Sequence, residues 1–294
     1  LLGQILNASE DIFFAGELID FWPRGVIQNR LCSCSQPARE CEIWREVIDR
    51  IEKSVSADQI RQMSELRSQT RVGSRLAWMA SQWVPNLKSG SLQLARDLTT
   101  QLYQTVADVT GAKLIVDSSK FSYVARLIAQ IDMLDLHLIH LVRDPRAVAH
   151  SWKRKKRIPD PAQELFIPQF GIISSTLRWI ERNYSAARVG KGNPARYSVL
   201  SYESFITKPQ TSLARAWRES GLMNSGISLP ELDDLSMPAN HAIWGNPSRF
   251  EVGPVNLKVD DAWKDEQSSW HSMVISLLAL PGLMKYGYPL VVRA

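Results

Sequence analysis

At 294 residues the chain can bury roughly 75% of the surface its unfolded form exposes, so core size does not limit the fold. With 45% hydrophobic and 22% charged residues it has the make-up of an ordinary globular protein, which excludes a disordered or fibrous one. Lys and Arg number 35 against 30 Asp and Glu, and the run Lys153–Arg157 alone holds five of the cations; this excludes a uniformly basic nucleic-acid binder and suits a local funnel for an anion.

In chain order, four short apolar segments read as strands: Ile12–Ala15, Leu114–Val116, Leu136–Val142 and Tyr197–Leu200. Helical patterns separate them, which predicts an α/β fold with a doubly wound parallel sheet. The stretch 44–103 is largely helical by periodicity, as at Ile48, Ile51 and Val55, and is expected to be a helical insertion within one domain spanning 1–294. Residues 159–171, with Pro159, Pro161 and Pro168, read as a loop able to act as a mobile flap. The run MVISLLALPGLM is too short for a membrane span, which needs about 18 apolar residues, and Pro281 interrupts it. No membrane partner and a cytoplasmic location are therefore expected. The first residues, Leu1-Leu2-Gly3, include no Met, so the native start is expected upstream.

The three cysteines, Cys32, Cys34 and Cys41, have the spacing C-x-C-x6-C. Reduced structural thiols, a disulfide and a zinc site are all open, but structural zinc wants four ligands and no His is near in sequence, so no metal site is expected. His137 and His140 sit on a predicted buried strand and read as structural, and His150 has no assigned role.

The segment LIHLVRDPRAVAHS carries the most chemistry. Leu138–Val142 is an apolar run of strand length, Asp144 is a good N-cap, and Pro145 takes the first helical position, where its missing N–H costs nothing. Arg143 thus falls at the carboxyl end of a strand, where ligands bind in open α/β sheets, and Ser151 falls two turns into the next helix. Arg143 as a planar charged fork and Ser151 as a hydroxyl donor suit one phosphate, with Lys155, one helical turn further, as a third contact. The plainer alternative is a capped helix start followed by a solvated basic end. Glu17 directly follows the first strand and is placed to act as a general base, or else merely begins a helix. Asp117, Ser118, Ser119 and Lys120 close the second strand. Lys120 there is suited to neutralising charge in a transition state, while the serines are ordinary capping residues.

The string VRDPRAVAHS resembles the loop and helix with which sulfotransferases bind the 3′-phosphate of PAPS (3′-phosphoadenosine 5′-phosphosulfate). By this resemblance Arg143 and Ser151 hold the phosphate. Gly16-Glu17 is similar to the Gly-Glu pair that carries the catalytic Glu of tyrosylprotein-type sulfotransferases, and QNRLC looks like a segment of bacterial members. The segment VLSYESF, with Pro209 downstream, resembles the family's YEDL segment, which implies that Tyr202 contacts the nucleotide and Glu203 caps structure. GNPSRFEVGPVNLKVDDAW resembles a loop that closes over the 3′-phosphate, with Arg249 the first candidate, Lys258 the second and 246–248 offering backbone donors.

The resemblance runs from Leu1 to about Trp263 and implies a P-loop NTPase-like fold. It also implies transfer of a sulfuryl group from PAPS to a hydroxyl or amine acceptor on a small molecule, glycan or peptide, releasing PAP (3′,5′-adenosine bisphosphate) without a metal or nucleic acid. No Gly-rich phosphate loop is present, and LLGQIL looks like the helix that follows one, so the chain reads as a fragment whose 5′-phosphosulfate loop lies upstream. Two alternatives stand beside this reading. A P-loop nucleotide kinase predicts a Walker Lys and an Mg²⁺ carboxylate, and a non-catalytic polyanion-binding module using Lys153–Arg157 predicts steep salt dependence.

Overall fold

The structure, a computed structural model, describes residues 1–72, 89–160, 164–232 and 236–291. Pro161 and part of the 44–103 stretch lie outside the described residues. The strands among them are β1 (Ile12–Gly16), β2 (Leu114–Asp117), β3 (Leu138–Val142), β4 (Arg157–Ile158), β5 (Leu165–Phe166), β6 (Tyr197–Ser201), β7 (Ser236–Met237) and β8 (Gly253–Pro254). The four predicted strands are thus β1, β2, β3 and β6, with ends displaced by no more than two residues. β1 pairs in parallel with β2, and β3 in parallel with β6, from Leu138 opposite Tyr197 to Val142 opposite Ser201. Long helices separate these strands, so the fold is α/β with parallel pairing. Among the described residues the parallel hydrogen bonding forms two pairs, each within one compact unit. Around the proline-rich loop, β4 pairs antiparallel with β5. Within the described residues no helix is long and apolar enough to cross a membrane.

The first unit comprises Leu1–Leu136, Pro159–Ala162 and Gly226–Val255. Its helices are α1 (Leu2–Leu6), α2 (Glu42–Glu52), α3 (Ala57–Val72), α4 (Ser89–Thr110) and α5 (Ser122–Ile128). The predicted helical stretch is therefore helical wherever it is described, apart from short connections. α2 buries Trp44, Val47, Ile48 and Ile51, the spacing of a single helix face. Trp44 is wholly buried, with its ring 6.0 Å from that of Phe13 on β1 and 5.7 Å from that of Phe21. All five residues of β1 are buried, which is why its sequence is uninterrupted apolar rather than alternating. Beside β1 runs the segment 242–245: Ile243 N–H donates to the Ala15 carbonyl (3.0 Å) and Glu17 N–H to the Trp244 carbonyl (2.9 Å). Gly16 permits this approach. Its φ is +81°, and a Cβ there would lie 2.5 Å from the Trp244 oxygen.

The second unit comprises His137–Ile158, Gln163–Ser225 and Asn256–Ala294. Its helices are α6 (Pro145–Lys153), α7 (Ile172–Gly192), α8 (Tyr202–Thr207), α9 (Pro209–Glu219), α10 (Trp263–Glu266), α11 (Ser269–Leu278) and α12 (Leu280–Tyr286). Val142 of β3 packs with Trp179 of α7, Ala279 and Leu283 in one apolar cluster. His140 is structural: Nδ1 pairs with the Tyr197 hydroxyl (2.8 Å) and Nε2 with Asn183 Oδ1 (2.9 Å), and burial pushes its pKa down to about 4.

Asp144 caps α6 by accepting from Arg146 N–H (2.8 Å), as the sequence predicts. The same carboxylate takes a two-pronged bond from the fully buried Arg146 guanidinium, at 2.9 Å from Nε and 2.7 Å from Nη2. Arg146→Ala is expected to cost about 3–5 kcal/mol in denaturant unfolding, because Asp144 would stay buried without its partner. Removing both charges, as Asp144→Asn with Arg146→Met, should recover much of that loss; equal losses in the single and double variants would show that the pair does not act as a unit.

Candidate functional site

In the first unit, Glu17 leaves β1 as the residue preceding a 3₁₀ turn (Leu18–Asp20) and makes no side-chain capping bond. Its side chain instead forms an ion pair with Lys120, joining the base and cation candidates on one spot. The residue is only 8% exposed, whereas the Lys120 side chain is 55% exposed, so the pair reaches from protein interior to solvent.

The loop after β2 fixes this geometry. Asp117 Oδ1 accepts from the Leu18 N–H (3.2 Å) and the Ser119 N–H (2.7 Å), while Oδ2 accepts from the Tyr103 hydroxyl (2.7 Å). Ser119 Oγ accepts from the Ile19 N–H (3.0 Å). These serines were candidates for capping α5, but its N-cap residue is Phe121 and makes no side-chain cap; Ser119 braces the turn after Glu17 instead. Asp117 and Ser119 therefore act as positioning residues. Tyr103, distant in sequence, gave no signal of its role.

Arg249 also belongs to the first unit. It lies in a 3₁₀ turn (Pro247–Phe250), is 3% exposed, and donates from Nη1 to the Gly245 carbonyl (3.3 Å) and from Nη2 to the Leu31 carbonyl (2.9 Å). Burial pushes its pKa down to about 10, with the Glu17 and Asp20 carboxylates opposing it. Both terminal nitrogens bond to backbone carbonyls, and its buried Nε has no partner among the described residues.

In the second unit, the register of β3 with β6 brings two strand ends together, and the Arg143 guanidinium lies 4.5 Å from the centre of the Tyr202 ring. Glu203 is occupied structurally: Oε1 accepts from the Asp144 N–H (3.0 Å), and Oε2 from the Ser201 (3.0 Å) and Tyr288 (2.8 Å) hydroxyls. Arg143 Nη2 donates to the Asp260 carbonyl (2.7 Å) and lies 3.2 Å from the Asp260 carboxylate, which also takes Arg154 Nη2 at 2.8 Å. Arg143 Nε is buried and has no hydrogen-bond partner among the described residues.

The lysine that lies against Ser151 is Lys156, not Lys155. α6 stops at Lys153, and Arg154 is already extended, so helical spacing from Ser151 does not reach Lys155. Lys155 sits instead 3.9 Å from the Phe166 ring centre, and Lys156 Nζ donates to Ser151 Oγ (3.1 Å). Burial holds the Lys156 ammonium below its ordinary value, Arg154 and Arg143 add to that, and Asp260 opposes it. Around Ser151, then, Arg143 and Arg154 share one carboxylate while Lys156 bonds to the serine. The Asp260 carboxyl is itself held low: burial works the other way, but Arg143 and Arg154 outweigh it. Lys258 is exposed.

A pH series tests the Asp117 brace. Burial raises the Asp117 carboxyl above its ordinary 3.8, against the pull of its hydrogen bonds, so the folded state binds its proton more readily than the unfolded one. Its contribution to stability is then greatest at low pH and declines as pH rises from about 4 through the raised folded value. Asp117→Asn keeps most of the hydrogen bonds and should flatten that part of the stability profile, while Asp117→Ala strips three donors and should cost about 2–3 kcal/mol. Identical urea midpoints against pH for wild type and Asp117→Asn would contradict this.

No family model matches the chain, and no curated protein matches it. Among solved structures it is similar to the "Sulfotransferase Domain from the Synechococcus PCC 7002 Olefin Synthase", at 16% identity over 95% of this chain and 94% of that one, with a TM-score of 0.39. A likeness this loose carries no argument about the residues above.

Proposed function

We propose that the chain transfers a sulfuryl group from PAPS to a hydroxyl or amine acceptor and releases PAP. The observation that carries this reading is the positive charge beside Ser151: Arg143 and Arg154 share the Asp260 carboxylate, while Lys156 turns to the Ser151 hydroxyl and has no ion-pair partner among the described residues. A dianionic phosphate supplies the missing negative charge. It also offers an acceptor for the buried Arg143 Nε and a second partner for the Ser151 hydroxyl. Arg143, Ser151 and Lys156 would hold the 3′-phosphate, and Tyr202, already stacked on Arg143, offers its ring to the adenosine.

PAPS supplies the sulfuryl group. Glu17 acts as the base that takes the acceptor's proton as the new S–O or S–N bond forms and the bond from sulfur to the 5′-phosphate oxygen breaks, releasing PAP; Lys120 occupies its Oε1, which leaves Oε2 for the proton. Lys120 neutralises negative charge that develops on the transferring group, as cations do in loose, in-line phosphoryl transfer. The acceptor class is a small molecule, glycan or peptide.

Thermal denaturation with PAP beside 5′-AMP tests the phosphate assignment. PAP at about 100 times its Kd should add about 2.7 kcal/mol, and 5′-AMP at the same concentration much less. Arg143→Ala should weaken PAP binding about 10–100-fold, the loss of one or two charge-assisted hydrogen bonds. Glu17→Gln should keep the PAP shift while lowering turnover about 10²–10⁴-fold. Equal shifts with both nucleotides would refute the 3′-phosphate site, and undiminished turnover in Glu17→Gln would refute the base.

A further inference from the structure

The three cysteines do not lie alone. His241, 200 residues after Cys41, presents Nδ1 3.2 Å from Cys41 Sγ and 4.0 Å from Cys32 Sγ. The ligand atoms of Cys32, Cys34, Cys41 and His241 all lie within 4.8 Å of one another. A zinc ion with Zn–S near 2.3 Å and Zn–N near 2.0 Å needs tetrahedral ligand atoms about 3.5–3.8 Å apart, which is the spacing this group brackets. The sequence offered three ligands and no fourth; the fold supplies it.

We propose that Cys32, Cys34, Cys41 and His241 form a structural zinc site that joins the 31–41 hairpin and the start of α2 to the segment carrying His241. Four protein ligands close the coordination sphere, leaving no position for a substrate, so the role is folding rather than chemistry. This assignment is independent of the sulfuryl-transfer reading.

Four features besides the cluster itself point to a metal. First, the other imidazole nitrogen, Nε2, lies 3.2 Å from Glu42 Oε1, the carboxylate arrangement that fixes the tautomer and orientation of a metal-bound histidine. Second, the turn that carries two of the sulfurs is closed by its own backbone, which holds Cys32 and Cys34 side by side: the Ser35 N–H donates to the Cys32 carbonyl (2.9 Å) and the Cys32 N–H to the Gln36 carbonyl (2.8 Å). Ser35, at φ +67°, makes the tight turn that aims them.

Third, the carrier segment is anchored on both sides of His241. Ser33 Oγ donates to the Asn240 carbonyl (2.8 Å), the Ser33 N–H to the Ala242 carbonyl (3.1 Å), and Trp44 Nε1 to the His241 carbonyl. Fourth, the site needs a counter-charge. Three thiolates, a neutral imidazole and Zn²⁺ carry one net negative charge, and the buried guanidinium of Arg249 is bonded to the carbonyl of Leu31, the residue before Cys32.

Metal analysis of the purified chain by inductively coupled plasma mass spectrometry should find about one zinc per chain. Replacing it with Co²⁺ should give an intense sulfur-to-cobalt charge-transfer band together with tetrahedral ligand-field bands. Removing the metal with a strong chelator should lower the Tm, and zinc should restore it. Because Cys32 and Cys41 are buried and their replacement disturbs the fold, the variant of choice is Glu42→Gln, which should fold and bind zinc about 10–100-fold more weakly. Protein isolated without zinc that still takes up one Co²⁺ with the thiolate band would support the site equally. A folded chain that binds no Co²⁺ through sulfur, or a disulfide among the three cysteines by non-reducing mass spectrometry, would overturn it.

Discussion

At the carboxyl end of β1 a second piece of chain must approach closer than any side chain allows, and the first unit is organised around that approach. Gly16 makes it possible by giving up its Cβ and adopting positive φ. The Trp244 carbonyl then fixes the Glu17 N–H, so the carboxylate leaves the strand in one direction, toward Lys120. From the other side, Asp117 and Ser119 hold the amides of Leu18 and Ile19. The candidate base is thus held by backbone contacts on both flanks, which a loop-borne carboxylate lacks. The proposed zinc site fits the same logic, because His241 lies three residues before Trp244 and its anchoring fixes where that carbonyl can be.

The second unit shows how burial sorts chemically identical residues. Arg143 and Arg146 are separated by two residues in one strand-to-helix junction. Arg146 is fully buried, and its charge is cancelled by Asp144 inside the capping arrangement. Arg143 is at the strand end, where it shares Asp260 with Arg154 while Lys156 turns back to Ser151. Only the second arrangement leaves positive charge unspent, and that excess is the physical basis for proposing a phosphate there. The basic run is accordingly no uniform charged stripe: Arg154 takes Asp260, Lys155 covers Phe166, and Lys156 reaches Ser151.

What the sequence made legible was local. The strands could be read because burial on both faces demands continuous apolar runs, as in IFFAG, and α2 because its buried residues repeat with helical spacing. Asp144 and Pro145 announced the start of α6 through capping chemistry that involves only neighbours. The placement of Arg143, Glu17 and Lys120 just past strand ends, and of Ser151 two turns into α6, followed from the same signals. What stayed hidden was made by contacts distant in sequence. Asp260 is 117 residues from Arg143, and His241 is 200 residues from Cys41. Lys156 rather than Lys155 meets Ser151 because α6 ends two residues short of Lys155, a boundary set by the strand pairing that follows. Arg249, read from its loop as a phosphate contact, is drawn inward by carbonyls on two separate segments.

A crystal structure of the chain grown with saturating PAP tests the central assignment most directly. The account predicts the 3′-phosphate within hydrogen-bonding distance of the Arg143 guanidinium, Ser151 Oγ and Lys156 Nζ. An ordered PAP whose phosphates touch none of these three residues would contradict it.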